Sequence, residues 1–329
     1  MAALLVVFAA FSPLPSRAAQ LGGSAAYSLP VDRQVPETAV RCIAGTIAWL
    51  DALARTTEAL SSVSLIQWGT REESDRQALV SAVFTPTIDS TLQGRRISVR
   101  VSLNASQRAV ADRLRKALHE REMLQLRAEM LKLAREKAEE ARGLVEESVV
   151  LRRLLTGRSA VNSARIVLLA EQLEALWQLG SILPHREGGR WRDPQAALPV
   201  LQQAAALDPE YAVLPYLLGE ILLQLDRPQD ALAELDKALA LNPERAGALY
   251  ARGLTYLRLQ LPALAERDLS AALAYDASHA AWWRARGALR MIRNETGPMC
   301  EDFIQACARG DCEGLAVARE RGLCLADKP

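Results

Sequence analysis

The chain has 329 residues, which at about 100–200 residues per domain indicates two or three structural units. Half of the residues are hydrophobic and 24% are charged, which excludes a mostly disordered or collagen-like chain. Forty basic and 39 acidic residues give a net charge of +1, so we expect no nucleic-acid partner. Aromatic residues make up only 5%, and the abundance of Ala and Leu favours helix.

An apolar run occupies residues 3–11 and is too short to span a bilayer, which needs about 20 apolar residues. Ser16 and Ala18 are small residues at the −3 and −1 places of a candidate cleavage site, so residues 1–18 are predicted to be a signal peptide for export to a bacterial periplasm or medium. The usual preceding basic residues are missing, which leaves two alternatives: a start codon further upstream or a buried strand. Residues 20–35 are aperiodic and are predicted to be a flexible lead, and no transmembrane segment is expected in the mature chain.

Residues 36–105 are predicted to form a small α+β unit. Apolar residues at helical spacing predict a first helix over residues 37–60. Thr70 begins a candidate capping box with Glu73 at the N3 position, so a second helix is expected to follow as far as about Val83.

A change of period marks a hairpin over residues 86–103. Apolar and polar residues alternate at its end, which is typical of a half-buried strand, and Gln93 and Gly94 supply a turn. The alternating apolar residues are Ile97, Val99, Val101 and Leu103. An isolated hairpin is marginal in water, so the two preceding helices are expected to cover its apolar face.

Residues 106–183 are predicted to form a long helix and a partner helix. The long helix runs from Ser106 to about Leu155, with apolar residues every seven positions at Ala117, Leu124, Leu131, Ala138 and Val145. The other core positions of such a heptad are poor (Arg121, Ala128 and Arg135), so packing on a neighbouring helix is favoured over a strict two-stranded coiled coil. Residues 163–182 supply that neighbour.

The decisive pattern lies in residues 192–310, where four columns of residues recur at one constant interval. One column contains Gly219, Gly253 and Gly287. The other columns contain Ala197, Ala231 and Ala265; Ala204, Ala238, Ala272 and Ala306; and Pro209, Pro243 and Ala277. Small residues in these columns allow two helices to approach closely, and stacked helix pairs bury a core that one pair cannot bury alone.

This register resembles the tetratricopeptide repeat (TPR), a helix–turn–helix unit of about 34 residues. A bulky residue four places after the first Ala column fits the family pattern, whereas Pro215 departs from it four places before Gly219. The resemblance implies a mainly α solenoid over residues 190–311. Its first helices, called helices A, are expected near residues 212–224, 246–259 and 280–293, and an extra second helix is expected over residues 194–207.

The resemblance also implies a concave groove, lined mainly by helices A, that binds a protein or peptide partner. Carried over residue by residue, the groove positions are Val213, Tyr216, Glu220, Leu223, Gln224, Tyr250, Leu254, Leu257, Arg258, Arg284, Ala288, Met291 and Ile292. The alternative is that these residues pack within the chain. Tyr216 and Glu220 occupy two places of the Lys/Asn set with which some TPR proteins clamp a carboxylate, so an apolar or aromatic contact is expected.

The sequence offers no pattern for catalysis, a cofactor or a metal. The three histidines, His119, His185 and His279, stand in no ligand motif, and no Gly-rich phosphate loop or nucleophile elbow occurs. We therefore predict a non-catalytic interaction scaffold or adaptor of the cell envelope. The alternatives are a structural, self-associating envelope assembly factor, which would be a homo-oligomer, and a hydrolase hidden in residues 36–103.

Four of the five cysteines crowd the last thirty residues, and in an exported chain such a cluster predicts disulfides. Cys300 and Cys307 are seven residues apart on one expected helix, about 10.5 Å of rise, which is too far for a bond between them. A helical hairpin that turns near residue 310 favours Cys307–Cys312 with Cys300–Cys324. The crossed pairing, Cys300–Cys312 with Cys307–Cys324, stays open. Residues 312–329 would form a disulfide-stapled C-terminal cap, and Cys42 has no assigned role.

Overall fold

The chain forms two compact units, Met1–Gly188 and Gly189–Pro329. The computed structural model describes residues 20–31, 35–61, 72–106, 109–110, 112–114, 117, 121–154, 160–183, 186–187 and 190–324. The predicted signal peptide at residues 1–18 lies outside this part of the chain. Within the described part, no helix combines the length and the apolar character that crossing a membrane requires.

The first unit contains a small antiparallel sheet. Strand β1 (Gln20–Leu21) pairs with β5 (Ala105–Ser106), and β2 (Ser24–Pro30), β3 (Pro86–Gln93) and β4 (Arg96–Leu103) form a three-stranded sheet in the order β2–β4–β3. Strands β3 and β4 are the predicted hairpin, which turns at residues 94–95.

The prediction of a flexible lead over residues 20–35 is wrong, because β2 lies there. Ala25 and Leu29 are buried against the sheet's covered face, and they pair with Val101 and Ile97 of β4. The opposite face of β2 carries Ala26 and Ser28, which are small rather than charged, so the alternation is weak in the sequence. Strand β5 contains Ser106, which pairs with Gln20 of β1. The long helix therefore does not begin at Ser106.

Two helices accompany the sheet, α1 (Glu37–Ser61) and α2 (Glu73–Val83). Helix α1 packs against β2 and β4, as expected for a helix that covers the hairpin. The capping box is wrong: Glu72 is the N-cap and makes no side-chain cap hydrogen bond, so Glu73 is the first helical residue rather than N3. Instead, the carboxylates of Glu73 and Asp75 lie in the first turn, where they interact favourably with the positive end of the helix dipole. Thr70 lies outside the described residues.

The long helix and its partner are confirmed as a packed pair. Helix α3 (Arg121–Leu154) lies beside α4 (Ala160–Ile182), and they run antiparallel, because Glu140 pairs with Arg165 and Lys137 with Gln172. Three of the predicted heptad residues are buried, namely Leu131, Ala138 and Val145. Further helical residues precede α3 at 109–110, 112–114 and 117, and a short strand, β6 (Arg186–Glu187), follows α4.

The second unit is a row of helices after a short strand, β7 (Arg190–Trp191). Helices A are α6 (Val213–Gln224), α8 (Ala246–Arg258) and α10 (Ala280–Ile292), each within one residue of the predicted bounds. The second helices of the repeats, called helices B, are α5 (Pro194–Leu207), α7 (Pro228–Leu241), α9 (Pro262–Tyr275) and α11 (Thr296–Cys307). Helix α12 (Glu313–Glu320) follows them.

The turn from helix A to helix B has the same form in every repeat. Asp226, Gln260 and Asn294 follow the three helices A at the repeat interval, and their φ angles of 58°, 59° and 58° are left-handed. Asp and Asn adopt this conformation more readily than most residues, whereas Gln260 has no such preference. The conformation ends the helix by turning its last carbonyls toward the following N–H groups. The repeat is therefore set by turn geometry as well as by packing.

Candidate partner-binding surface

The glycine column fixes how helix A lies on helix B. A Cβ atom built on Gly219 would meet Cγ of Leu235 at 2.4 Å, and one on Gly253 would meet Cγ of Leu269 at 2.9 Å. In the third repeat the corresponding distance, from Gly287 to a ring carbon of Phe303, is 2.7 Å. The glycine-bearing face of each helix A is therefore covered by helix B. A partner can contact only the faces of helix A that point away from helix B.

In the first repeat, most predicted groove residues are used within the chain. Val213 and Tyr216 are each only 1% exposed. The Tyr216 hydroxyl donates to Glu220 at 2.9 Å, and the guanidinium of Arg245 lies 5.7 Å from the Tyr216 ring centre. Leu223 and Gln224 are half-buried. A partner could reach Val213 or Tyr216 only by displacing the groups that cover them.

Gln224 has a structural contact of its own. Its amide nitrogen donates to the carbonyl of Trp191 at 2.7 Å, and its amide oxygen accepts from the Trp191 N–H at 2.9 Å. This two-way bond fixes strand β7 to helix α6. The side-chain amide of Gln224 is thereby committed to the backbone.

In the second repeat, an aromatic stack joins helix α8 to the start of helix α10. The ring of Tyr250 lies 5.2 Å from the ring of Trp282, and the imidazole of His279 lies 4.2 Å from the same indole. Both pairs are nearly parallel, at 19° and 22°. Sequence reasoning placed Tyr250 in the groove but missed Trp282 and His279, because the stack depends on how successive repeats meet.

The remaining residues of the second repeat form an apolar surface with one ion pair at its end. Leu254 and Leu257 are half-buried. Arg258 is exposed and pairs with Asp226 at 3.1 Å. Both members of this pair are largely exposed, so it contributes little to stability and a partner's charge can compete for it.

In the third repeat, Arg284 is already paired. Its guanidinium lies 2.7 Å from Asp311 and 3.3 Å from Glu313. Met291 packs against the C-terminal core, while Ala288 is half-buried. Ile292 is 75% exposed, an unusual position for a large aliphatic side chain at the end of a helix.

Sequence reasoning also missed a ladder of buried ion pairs between helices A and B. Arg252 pairs with Asp268 at 2.6 Å, and one repeat later Arg286 pairs with Asp302 at 2.8 Å. The two carboxylates are only 2% and 1% exposed. Arg290 is a second cation at the same carboxylate, with its guanidinium nitrogen 2.9 Å from Asp302. The signal was present in the sequence, since both members of the pair recur at the repeat interval.

The last four cysteines are joined as two disulfides, Cys300–Cys324 and Cys307–Cys312, with Cα atoms 5.3 and 4.0 Å apart. This is the nested pairing that the hairpin geometry favours. The Cys300–Cys324 bond ties the end of the described chain to helix α11. Around it lies a small core of Met299, Phe303, Leu315 and Ala318.

The described side chains form no group of three or more His, Cys, Asp or Glu arranged to hold a metal ion. His119 and His185 lie outside the described residues. His279 lies 3.3 Å from Asp276, beside its stack on Trp282.

Paired helices, buried Ala and Gly columns and a constant repeat interval define a helical-repeat protein. Residues 192–253 match the family model of the tetratricopeptide repeat, and the predicted mainly α fold class is confirmed. No curated protein sequence matches the chain.

Several solved TPR structures are similar to the chain in fold. The first TPR of Spaghetti (RPAP3), bound to the HSP90 peptide SRMEEVD, is 20% identical over 35% of this chain and 95% of its own, with a TM-score of 0.33. YrrB, described as a TPR protein with an unusual peptide-binding site, is 18% identical over 58% and 97%, with a TM-score of 0.37. The pilF protein of Pseudomonas aeruginosa is 18% identical over 56% and 84%, with a TM-score of 0.39.

Proposed function

We propose that the chain is a non-catalytic protein-interaction scaffold that binds an apolar segment of a partner protein along helices α8 and α10. The supporting observation is a set of half-buried or exposed apolar side chains on these two helices A: Leu254, Leu257, Ala288, Met291 and Ile292. Leu254 and Ala288 occupy equivalent positions, as do Leu257 and Met291, whereas the counterpart of Ile292 is Arg258. Leu257 and Met291 also pack in part against the hydrophobic cores of the array, so Leu254, Ala288 and Ile292 offer the less engaged apolar area.

The charges around this surface favour an apolar partner over a charged one. Arg258 and Arg284 are the cations at the predicted groove positions, and each has a carboxylate partner within the chain. A carboxylate ligand would have to replace these bonds, with little net gain. An apolar or aromatic side chain would instead be stabilised by the area that it removes from water, about 25 cal/mol per Å².

A matched pair of isoleucines tests the surface. Ile292 on helix α10 and Ile304 on helix α11 are both exposed, at 75% and 51%, and only the first belongs to the proposed surface. Peptides would first be selected from a random library on the immobilised full chain. Calorimetry would then measure their affinity for the unsubstituted chain, for Ile292→Glu and for Ile304→Glu. We expect about tenfold or greater loss of affinity for the first variant and little change for the second. Equal affinity of Ile292→Glu and the unsubstituted chain would reject the surface.

We further propose that the scaffold works in the cell envelope after export to the periplasm. The apolar run at residues 3–11 and the two cysteine pairs support this location, because disulfides persist in oxidising compartments. Expressed in a Gram-negative bacterium, the full chain is expected in the periplasmic fraction with a mature N-terminus at residue 19. Val6→Arg, which interrupts the apolar run, is expected to leave the precursor in the cytoplasm. Uncleaved chain in the cytoplasm without this substitution would contradict the proposal.

A further inference from the structure

Strand β3 leaves one edge of the three-stranded sheet unpaired. The strand order is β2–β4–β3, and no described residue continues the sheet beyond β3. Ile88 and Leu92 are 48% and 47% exposed, although they lie opposite the buried Val101 and Ile97 and therefore share the covered face. Helix α1 lies over β2 and β4, so the apolar face of the sheet extends past the helix. Such an edge is a template for another strand.

Backbone geometry determines which groups of β3 point outward. The Leu103 N–H donates to the Gly23 carbonyl at 2.8 Å, so odd-numbered residues of β4 direct their backbone groups toward the β2 side. Alternate residues face opposite sides, so even-numbered residues of β4 bond to β3. Because Arg96 pairs with Gln93, the odd-numbered residues of β3 face β4. The outward N–H and C=O groups therefore belong to Ile88, Ser90 and Leu92.

We propose that β3 pairs antiparallel with β3 of a second copy of this chain, around a twofold axis at Ser90. In this register Ile88 of each copy lies opposite Leu92 of the other, which joins apolar residues on one face. The outward backbone groups of these residues and of Ser90 meet as hydrogen-bonded pairs. Asp89 lies opposite Thr91, so no like charges stand directly opposite each other.

Other registers fit less well. An axis at Asp89 would place two carboxylates opposite each other, which is destabilising. An axis at Thr91 would place Ile88 opposite the turn residue Gly94. A shift by a single residue would bring outward groups against groups that already bond to β4.

The charges near the axis do not oppose this pairing. Arg41 of helix α1 hydrogen-bonds to the Ser90 hydroxyl, and its guanidinium also pairs with Glu37. Asp89 lies opposite Arg100 within its own hairpin. Each copy therefore brings charges of both signs to the neighbourhood of the axis.

Light scattering after gel filtration tests the dimer. Because an interface of one strand pair is small and weak, the full chain would be measured up to about 200 μM. We expect the mass to rise from 36.0 kDa toward twice that value as concentration increases. Ser90→Pro removes an outward N–H that the hairpin does not use, and Leu92→Lys places a charge opposite Ile88. Each is expected to weaken dimerisation by about tenfold or more.

A control on the opposite face is available in the same strand. Thr91→Lys would face Asp89 of the second copy and is expected to retain or tighten the dimer. Circular dichroism checks that each variant keeps its helix content. A chain that stays monomeric over the whole range, or one whose dimer Ser90→Pro and Leu92→Lys leave unchanged, would overturn the proposal.

Disulfide cross-linking tests the same contact with smaller substitutions, in case Ser90→Pro or Leu92→Lys folds poorly. Directly opposed residues of a hydrogen-bonded pair have Cα atoms about 5.5 Å apart, within the range of a disulfide. Ser90→Cys is therefore expected to form a covalent dimer under mild oxidation. Thr87→Cys, three residues from the axis, is expected to form little or none. Equal cross-linking of the two variants would place the contact elsewhere and contradict the proposal.

Discussion

The tight helix–helix contact at the glycine column can be tested with a series of Gly→Ala substitutions. The free energy of unfolding is expected to rise where the added methyl group has space and to fall where it meets helix B. Gly→Ala in a helix gains about 1 kcal/mol from helix propensity wherever the new methyl group has space. At Gly143, inside helix α3, nothing lies within 4 Å of the added Cβ, so the propensity gain is expected there. At Gly253 the Cβ would lie 2.9 Å from Cγ of Leu269, and at Gly219 it would lie 2.4 Å from Cγ of Leu235.

Carbon atoms in contact prefer a separation of about 3.5–4.0 Å, so the methyl group at Gly219 intrudes by about 1 Å or more. Leu235 is fully buried and cannot turn into solvent. An overpacking cost of about 1–3 kcal/mol then exceeds the propensity gain. We expect Gly219→Ala to lower the free energy of unfolding by about 1–2 kcal/mol and Gly253→Ala by less.

Urea unfolding followed by circular dichroism would measure the three variants against the unsubstituted chain. The expected order of stability is Gly143→Ala, then Gly253→Ala, then Gly219→Ala. If Gly219→Ala is as stable as Gly143→Ala, the close approach of helices A and B in the first repeat is not present in solution. The larger Gly253→Trp exceeds the available space several-fold and should unfold the second repeat, so it serves as the upper limit of the series.

Two further predictions concern the thiols. Non-reducing peptide mapping of protein from the periplasm is expected to find Cys300 linked to Cys324 and Cys307 to Cys312, and a Cys307–Cys324 peptide or four free thiols would contradict the nested pairing. Burial and the nearby Glu174 carboxylate raise the pKa of the Cys42 thiol to about 12, so iodoacetamide at pH 8 should modify it slowly in the native chain and rapidly in urea. Fast native alkylation would show that helices α1 and α4 do not enclose it.

The repeat array was predictable because its constraint recurs at a constant interval along the chain. Gly219, Gly253 and Gly287 must all be small, since each faces a large side chain of helix B. Strand β2 was not predictable in this way, because only Ala25 and Leu29 are buried in it and its pairing partner, β4, lies beyond both α1 and α2 in the sequence. Non-local pairing leaves little trace in a short sequence window.

The candidate surface was predictable only in outline. Position in the repeat places a residue on helix A, but it does not show whether another part of the chain already uses that side chain. Gln224 is fixed to the backbone of Trp191, and Arg284 to Asp311. Trp191 and Asp311 lie outside the repeat columns, so a pattern defined by those columns does not reveal these contacts. The exposed Ile292, by contrast, is where the pattern placed it, at the end of helix α10.

The buried ion pairs raise the question of why the second and third repeats hold an arginine where the first repeat holds Leu218. Leu218 is buried, and Glu234, at the place of Asp268, pairs with Lys237 near the surface instead. The fold therefore accepts an apolar residue at this position. Arg252 is stabilised there because Asp268 at 2.6 Å and Asp236 at 2.8 Å supply its bonds.

Two variants at Arg252 and Asp268 test whether the ion pair supplies net stability. Asp268→Leu alone leaves a largely buried guanidinium with only Asp236, so we expect a loss of about 3 kcal/mol in urea unfolding. Arg252→Leu with Asp268→Leu restores an apolar contact like that of Leu218, and we expect it within about 1 kcal/mol of the unsubstituted chain. This outcome would mean that the ion pair supplies little net stability beyond that of an apolar contact. If the double variant loses as much as the single one, the ion pair itself stabilises the array, and the apolar first repeat is not a guide to the others.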